Sequence, residues 1–91
     1  MDYTPIKVEQ LVANKVTMRQ ARLALLSIGL LDQIEPAIDA MDEPARTVAK
    51  IEWDYSSEVH RDKPFVNSLG EILGLDSEAI DALFAAAALI D

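Results

Sequence analysis

The chain has 91 residues, no cysteine, and 16 Asp/Glu against 8 Lys/Arg, for a net charge of −8. That length makes one domain with a single modest core. The composition leaves out disulfides, thiol nucleophiles and cysteine-based metal sites, and an acidic body repels nucleic-acid backbones and anionic lipid. The charge is uneven: residues 1–31 carry four Lys/Arg and two Asp/Glu, residues 32–91 four and fourteen. Such a body suits solubility or a basic partner.

Residues 1–16 have no helical period. Ile6 and Val8 alternate weakly with polar neighbours, and Pro5 blocks an early helix. This stretch is expected to be an extended arm or short edge strand, with residues 11–13 docking on the core. The start, MDYTPIKVEQ, is too polar for a secretory signal, so synthesis in the cytoplasm is expected.

Residues 17–28 predict the first helix, around which the others pack. Thr17 and Gln20 have the spacing of a capping box, and Gly29 is placed to end the helix in a left-handed conformation, with Leu30 folding back onto Leu25. Met18, Ala21, Ala24, Leu25 and Ile28 share one face. Leu23 and Leu26 point elsewhere, so the helix is expected to be buried on several sides. The uncharged run 23–31 is nine residues, too short for the roughly 20 that span a bilayer.

Asp32 and Glu35 predict the start of helix two, with Pro36 in its first turn and Ile34, Ile38 and Met41 as its core stripe. Asp42 and Pro44 predict the start of helix three, over about 43–57. Val48, Ile51, Tyr55 and Val59 are expected on its inner face, with Lys50 and Asp54 as an outer ion pair. Trp53 falls outside that stripe, near Arg46, Lys50 and Ser57. Either the terminal arm covers it, or it is exposed and Trp53, Arg46 and Lys50 form a contact surface. Coverage within the fold is the expectation for a lone tryptophan.

Residues 56–63 read as a polar loop or a frayed helix end. Helix four starts at Pro64, with Phe65, Leu69, Ile72 and Leu73 inward, and Gly74-Leu75 repeats the stop at Gly29-Leu30. Asp76 caps helix five, whose core stripe is Ile80, Leu83, Phe84, Ala87 and Ile90. The alanines at 85–88 allow close approach of another helix. The fold expected is all-α: a single small domain of about five short helices over 17–91, with an extended N-terminal arm over 1–16.

Motifs for chemistry are weak. His60-Arg61-Asp62 with Asn67 matches the protein-kinase catalytic-loop string, but no glycine-rich loop, strand lysine or D-F-G accompanies it. Helix four, Gly74 and helix five have the order of a helix-turn-helix. The first turn of the second helix would bring Asp76, Glu78 and Asp81 against DNA, with no Lys or Arg anywhere in 64–91. Glu52 with Glu58, or Asp39 with Asp42 and Glu43, could hold a cation only loosely. The expectations are therefore a non-enzyme with no catalytic residue, no cofactor and no metal, and no nucleic-acid or membrane partner.

Three stretches, VTMRQARLALLSIGLL, IEWDYSSEVHRDKPFV and LGEILGLDSEAIDALFAAA, resemble a small family encoded among tail genes of bacteriophages and prophages. The family pattern runs from a T-R-Q-A-R-L-A-L-L opening through I-E-W-E-Y and a charged-Pro turn to L-G-L-x-x-x-x-I-D-x-L-F. The resemblance covers residues 16–90. Met18 stands where the pattern has a polar or basic residue, Pro36 is unusual for it, and residues 1–15 lie outside it. It implies a structural or assembly module acting through protein contacts, with phage structural or assembly proteins as partners. It also implies residence in the bacterial host cytoplasm or in the virion, and brings no active-site residues. A homo-oligomer is allowed by the apolarity of helix one and the alanines of helix five.

Overall fold

A computed structural model of the protein describes residues 14–91. The expected roles of Ile6, Val8 and residues 11–13 fall outside the described residues. Among the described residues the chain forms β1 (Lys15–Thr17), α1 (Met18–Ser27), a 3-10 turn (Leu31–Gln33), α2 (Ile34–Asp39), α3 (Ala45–Tyr55), β2 (Glu58–His60), α4 (Pro64–Leu73) and α5 (Ser77–Ala88).

Five α-helices are present among the described residues, but the domain is not all-α. β1 and β2 pair antiparallel, with Val16 opposite Val59, Lys15 opposite His60 and Thr17 opposite Glu58. The Met18 amide donates to the Ser57 carbonyl (2.8 Å) and the Arg61 amide to the Asn14 carbonyl (2.8 Å), extending the ribbon at both ends. Residues 56–63 are thus not simply a loop. Each strand is three residues long with one buried side chain, too little alternation to register as a strand. Val59, expected on helix three, instead faces the core from β2.

The helix ends follow local chemistry. The Gln20 amide donates to Thr17 Oγ1 (3.0 Å) and the Thr17 amide to Gln20 Oε1 (2.9 Å), closing the predicted capping box. Gly29 (φ +78°) and Gly74 (φ +79°) are left-handed. After α1 the Leu30 amide reaches the Leu25 carbonyl (2.9 Å), and after α4 the Leu75 amide reaches the Gly70 carbonyl (2.7 Å). Both are the six-to-one bond of a Schellman stop. Asp76 Oδ1 accepts from the Ala79 amide (2.8 Å) and caps α5.

Two predicted caps are not used. The 3-10 turn satisfies its own backbone, the Gln33 amide donating to the Leu30 carbonyl (2.9 Å), and Asp32 makes no capping bond. At α3 the capping group is Glu43 rather than Asp42. Glu43 Oε1 accepts from the Thr47 amide (3.1 Å), and both its carboxylate oxygens accept from the Thr47 hydroxyl (2.7 and 2.8 Å).

The core gathers Val16, Leu25, Ile34, Ile38, Trp53, Val59, Phe65, Leu69, Ile80 and Phe84. α1 packs most extensively on α5, and Ala24 on α1 and Ala87 on α5 are each 1% exposed. The stripes predicted for α2 and α5 face inward as expected: Ile34, Ile38 and Met41 are buried, as are Ile80, Phe84 and Ala87. On α4, Phe65 and Leu69 are buried while Ile72 is exposed. α1 is not buried on several sides, because Leu26 and Ile28 are exposed.

Candidate contact surface

The clearest departure from the periodic reading is α3. It packs against α2 and α4 through a narrow stripe whose buried members are Ala49 and Trp53. The residues expected inside face out: Val48 is 50% exposed, Ile51 53% and Tyr55 82%. Their spacing of three and then four residues places them in one row on the helix.

Ala49, with no exposed surface, lets the α3 backbone sit close to its neighbours. Trp53 is held by α1. The Arg22 guanidinium carbon lies 4.2 Å from the ring centroid, and Arg22 Nη2 donates to the Trp53 carbonyl (2.7 Å). One side chain thereby covers the indole face and satisfies a carbonyl in the last turn of α3.

Trp53 is therefore buried, as expected of it, on the opposite side of α3 from the exposed row. Arg46 and Lys50 remain at the surface and do not meet the indole. They line a shallow groove with Asp39, Glu43, Thr47, Ile51, Asp54 and Tyr55. Within it Arg46 pairs with Glu43 (3.2 Å) and Lys50 with Asp54 (3.8 Å), the latter being the pair predicted from spacing. The Thr47 hydroxyl and amide, helped by Arg46, hold the Glu43 carboxyl below its usual range. Sequence periodicity drew attention to Val48, Ile51 and Tyr55 but set them on the wrong side. Their apolarity was the signal, and only packing shows them unspent.

Two residues of the kinase-like string, Arg61 and Asn67, belong to a structural clamp. Arg61 Nε donates to Asp81 Oδ1 (2.7 Å), Nη1 to Asn67 Oδ1 (3.1 Å), and Nη2 to the Ser77 hydroxyl (3.0 Å) and carbonyl (3.3 Å). This guanidinium joins the end of β2 to α4 and to the start of α5. Composition gave no sign of it, because its partners lie up to 20 residues away.

Glu52 is occupied by the Ser56 hydroxyl (2.6 Å) and Lys63 (3.8 Å), and Glu58 by Lys15 (3.6 Å) and His60 (3.5 Å). Among the described residues, no group of three or more His, Asp or Glu is placed to hold a metal ion. The core contains an apolar cavity of about 70 Å³ between Val16, Leu25, Phe65, Leu69, Ile80 and Phe84, which offers shape but no group to orient a polar substrate. No helix among the described residues is long and apolar enough to cross a membrane.

No protein-family model, curated protein or solved structure matches the chain.

Proposed function

We propose that the chain is a non-enzymatic, phage- or prophage-derived structural or assembly module. On this reading it is tail-associated, acts through protein–protein contacts, and resides in the bacterial host cytoplasm or in the virion. The observation that carries the contact role is the exposed row Val48, Ile51 and Tyr55 on a helix whose opposite side carries the buried Ala49 and Trp53. Fully burying a Val or Ile side chain is worth about 1.5–3 kcal/mol, and Val48 and Ile51 are half-buried already, so roughly half of that is left at each position for a partner. Tyr55 adds a large, stiff ring of the kind enriched at contact surfaces. The phage setting rests on the resemblance of residues 16–90 to the tail-gene family.

The test is quantitative mass spectrometry of particles purified after induction of the parent prophage, with the natural gene and with an Ile51→Ser/Tyr55→Ala variant. The expected result is stoichiometric incorporation of the natural chain and loss of the variant, both chains being equally abundant in the lysate. Normal particles formed without the gene, and free of its product, would count against the reading.

A helix-turn-helix regulator is the alternative, because Gly74 joins α4 to α5 in the corresponding order. The start of α5 argues against it. Asp76 already caps the helix and Asp81 already binds Arg61, so a recognition surface there would present carboxylates to phosphate. Retardation of DNA at low salt, where electrostatic binding is strongest, is the observation that would revive it.

A further inference from the structure

Gly70 lies in the interior of α4, where an added Cβ would meet Ile80 Cδ1 on α5 at 2.5 Å. The two helices close on each other there, and both residues belong to the wall of the apolar core cavity. Ala21 and Ala87 belong to that wall as well. With small residues at these places, about 70 Å³ stays unfilled, whereas close-packed interiors contain few voids larger than a water molecule.

Among the described residues the wall turns no polar atom toward the cavity. A buried water needs about two to four polar partners, so water is not the natural filling. An empty cavity forfeits the dispersion contacts of its lining, and an apolar guest restores them. We infer that this cavity binds the end of an unbranched aliphatic chain whose head group is neutral or cationic. The site is separate from the α3 face and does not depend on the contact role proposed for it.

Size, access and charge select that guest. An apolar cavity of roughly 150 Å³ holds benzene; this one has less than half that volume, room for the last few carbons of a chain but not for a ring. The cavity is not sealed, and Leu73, Leu75 and Leu83 in its wall are partly exposed. A chain entering past them leaves its head group in water. The surface there comes from residues 64–91, which hold no Lys or Arg and expose Glu71, Asp76 and Glu78. Such a surface attracts an ammonium and repels a carboxylate.

The experiment uses the lone tryptophan, Trp53, which also lines the cavity. The full chain is titrated with ω-bromohexanol, whose terminal bromine quenches an indole that it touches, and circular dichroism checks that each variant is folded. The natural chain is expected to show saturable quenching that hexanol reverses by competition. Hexylammonium should compete about fivefold better than hexanoate at low salt, the scale of one exposed charge pair, and the gap should narrow as salt is raised. Gly70→Ala drives Ile80 Cδ1 into the cavity and is expected to abolish the saturable quenching. Leu69→Ala widens the cavity and is expected to let benzene compete, which it does not do in the natural chain.

Titration of the natural chain without saturable quenching overturns the inference. Trp53 also borders a surface groove with Arg22 and Asp32, so quenching that persists unchanged in folded Gly70→Ala comes from that groove and overturns it too. If Gly70→Ala does not fold, Leu69→Ala decides: benzene that fails to compete there places the guest elsewhere. Hexanoate competing as well as hexylammonium overturns the choice of head group.

Discussion

Helices α3 and α5 are similar in length and both amphipathic, yet periodicity locates the core for one and inverts it for the other. In α5 the large side chains fall in one sector, and Ile80, Phe84 and Ala87 are buried. In α3 they fall in two: Val48, Ile51 and Tyr55 on one side, and Trp53 with Ala49 on the other. Transfer energy does not choose between these sectors, because three medium-to-large side chains offer at least as much burial as one tryptophan. Fit chooses. Ala49 admits close packing, and Arg22 caps both the Trp53 ring and its carbonyl. An apolar stripe on a helix says that something covers it, and the covering element need not belong to the same chain.

That contrast is sharpest across two residues. Trp53→Ala is expected to cost about 3–5 kcal/mol, the range for emptying a large buried aromatic site, and Phe84→Ala on α5 about as much. Tyr55→Ala should stay within about 0.5 kcal/mol. Chemical denaturation of the three variants at low protein concentration tests this, and native tryptophan emission should be blue-shifted. Equal losses at positions 53 and 55 would break the assignment of α3's inner face.

Ala49→Leu probes the same face from the opposite direction. Added volume where no surface is exposed should destabilise by about 1–3 kcal/mol. Ala86→Leu, on the exposed side of α5, should be nearly neutral. A neutral Ala49→Leu would mean that α3 is free to move outward.

Next in size is Arg61, which ties α5 to the ribbon. Arg61→Ala is expected to cost about 1–2 kcal/mol, the scale of hydrogen bonds to charged groups reduced for partial exposure. Lysine should not rescue it, since an ammonium cannot match the fork that reaches Asp81, Asn67 and Ser77 together. Thermal unfolding of both variants is the measurement.

The smallest effect concerns the start of α3. The Glu43 carboxyl is held below its usual value by the Thr47 hydroxyl first and the Thr47 amide second. A depressed folded value means the contribution is fully present above the unfolded value and is lost as pH falls through the folded one. The unfolding temperature of the natural chain should therefore exceed that of Glu43→Gln slightly at neutral pH, and the gap should close in acid. A gap that persists in acid would assign the effect to shape rather than charge.

Where the deciding atoms lie within about one helical turn, the residues alone suffice. Thr17 with Gln20, Gly29 with Leu30, Gly74 with Leu75, and Asp76 with Ala79 are all legible in order, because a backbone end can be satisfied only by close neighbours. Asp32 and Asp42 show the limit of that reading: the bonds they would supply are met instead by a 3-10 turn and by Glu43. Sequence by itself determined five helices, the glycine stops of α1 and α4, and the inward stripes of α2 and α5. Only the tertiary structure decided the Val16–Val59 ribbon, the Arg61 clamp, the seat of Trp53 under Arg22, and which side of α3 meets water. Each of those depends on groups far apart in the chain, and the choice between two apolar stripes is made by how closely backbones can approach, a quantity that no single segment carries.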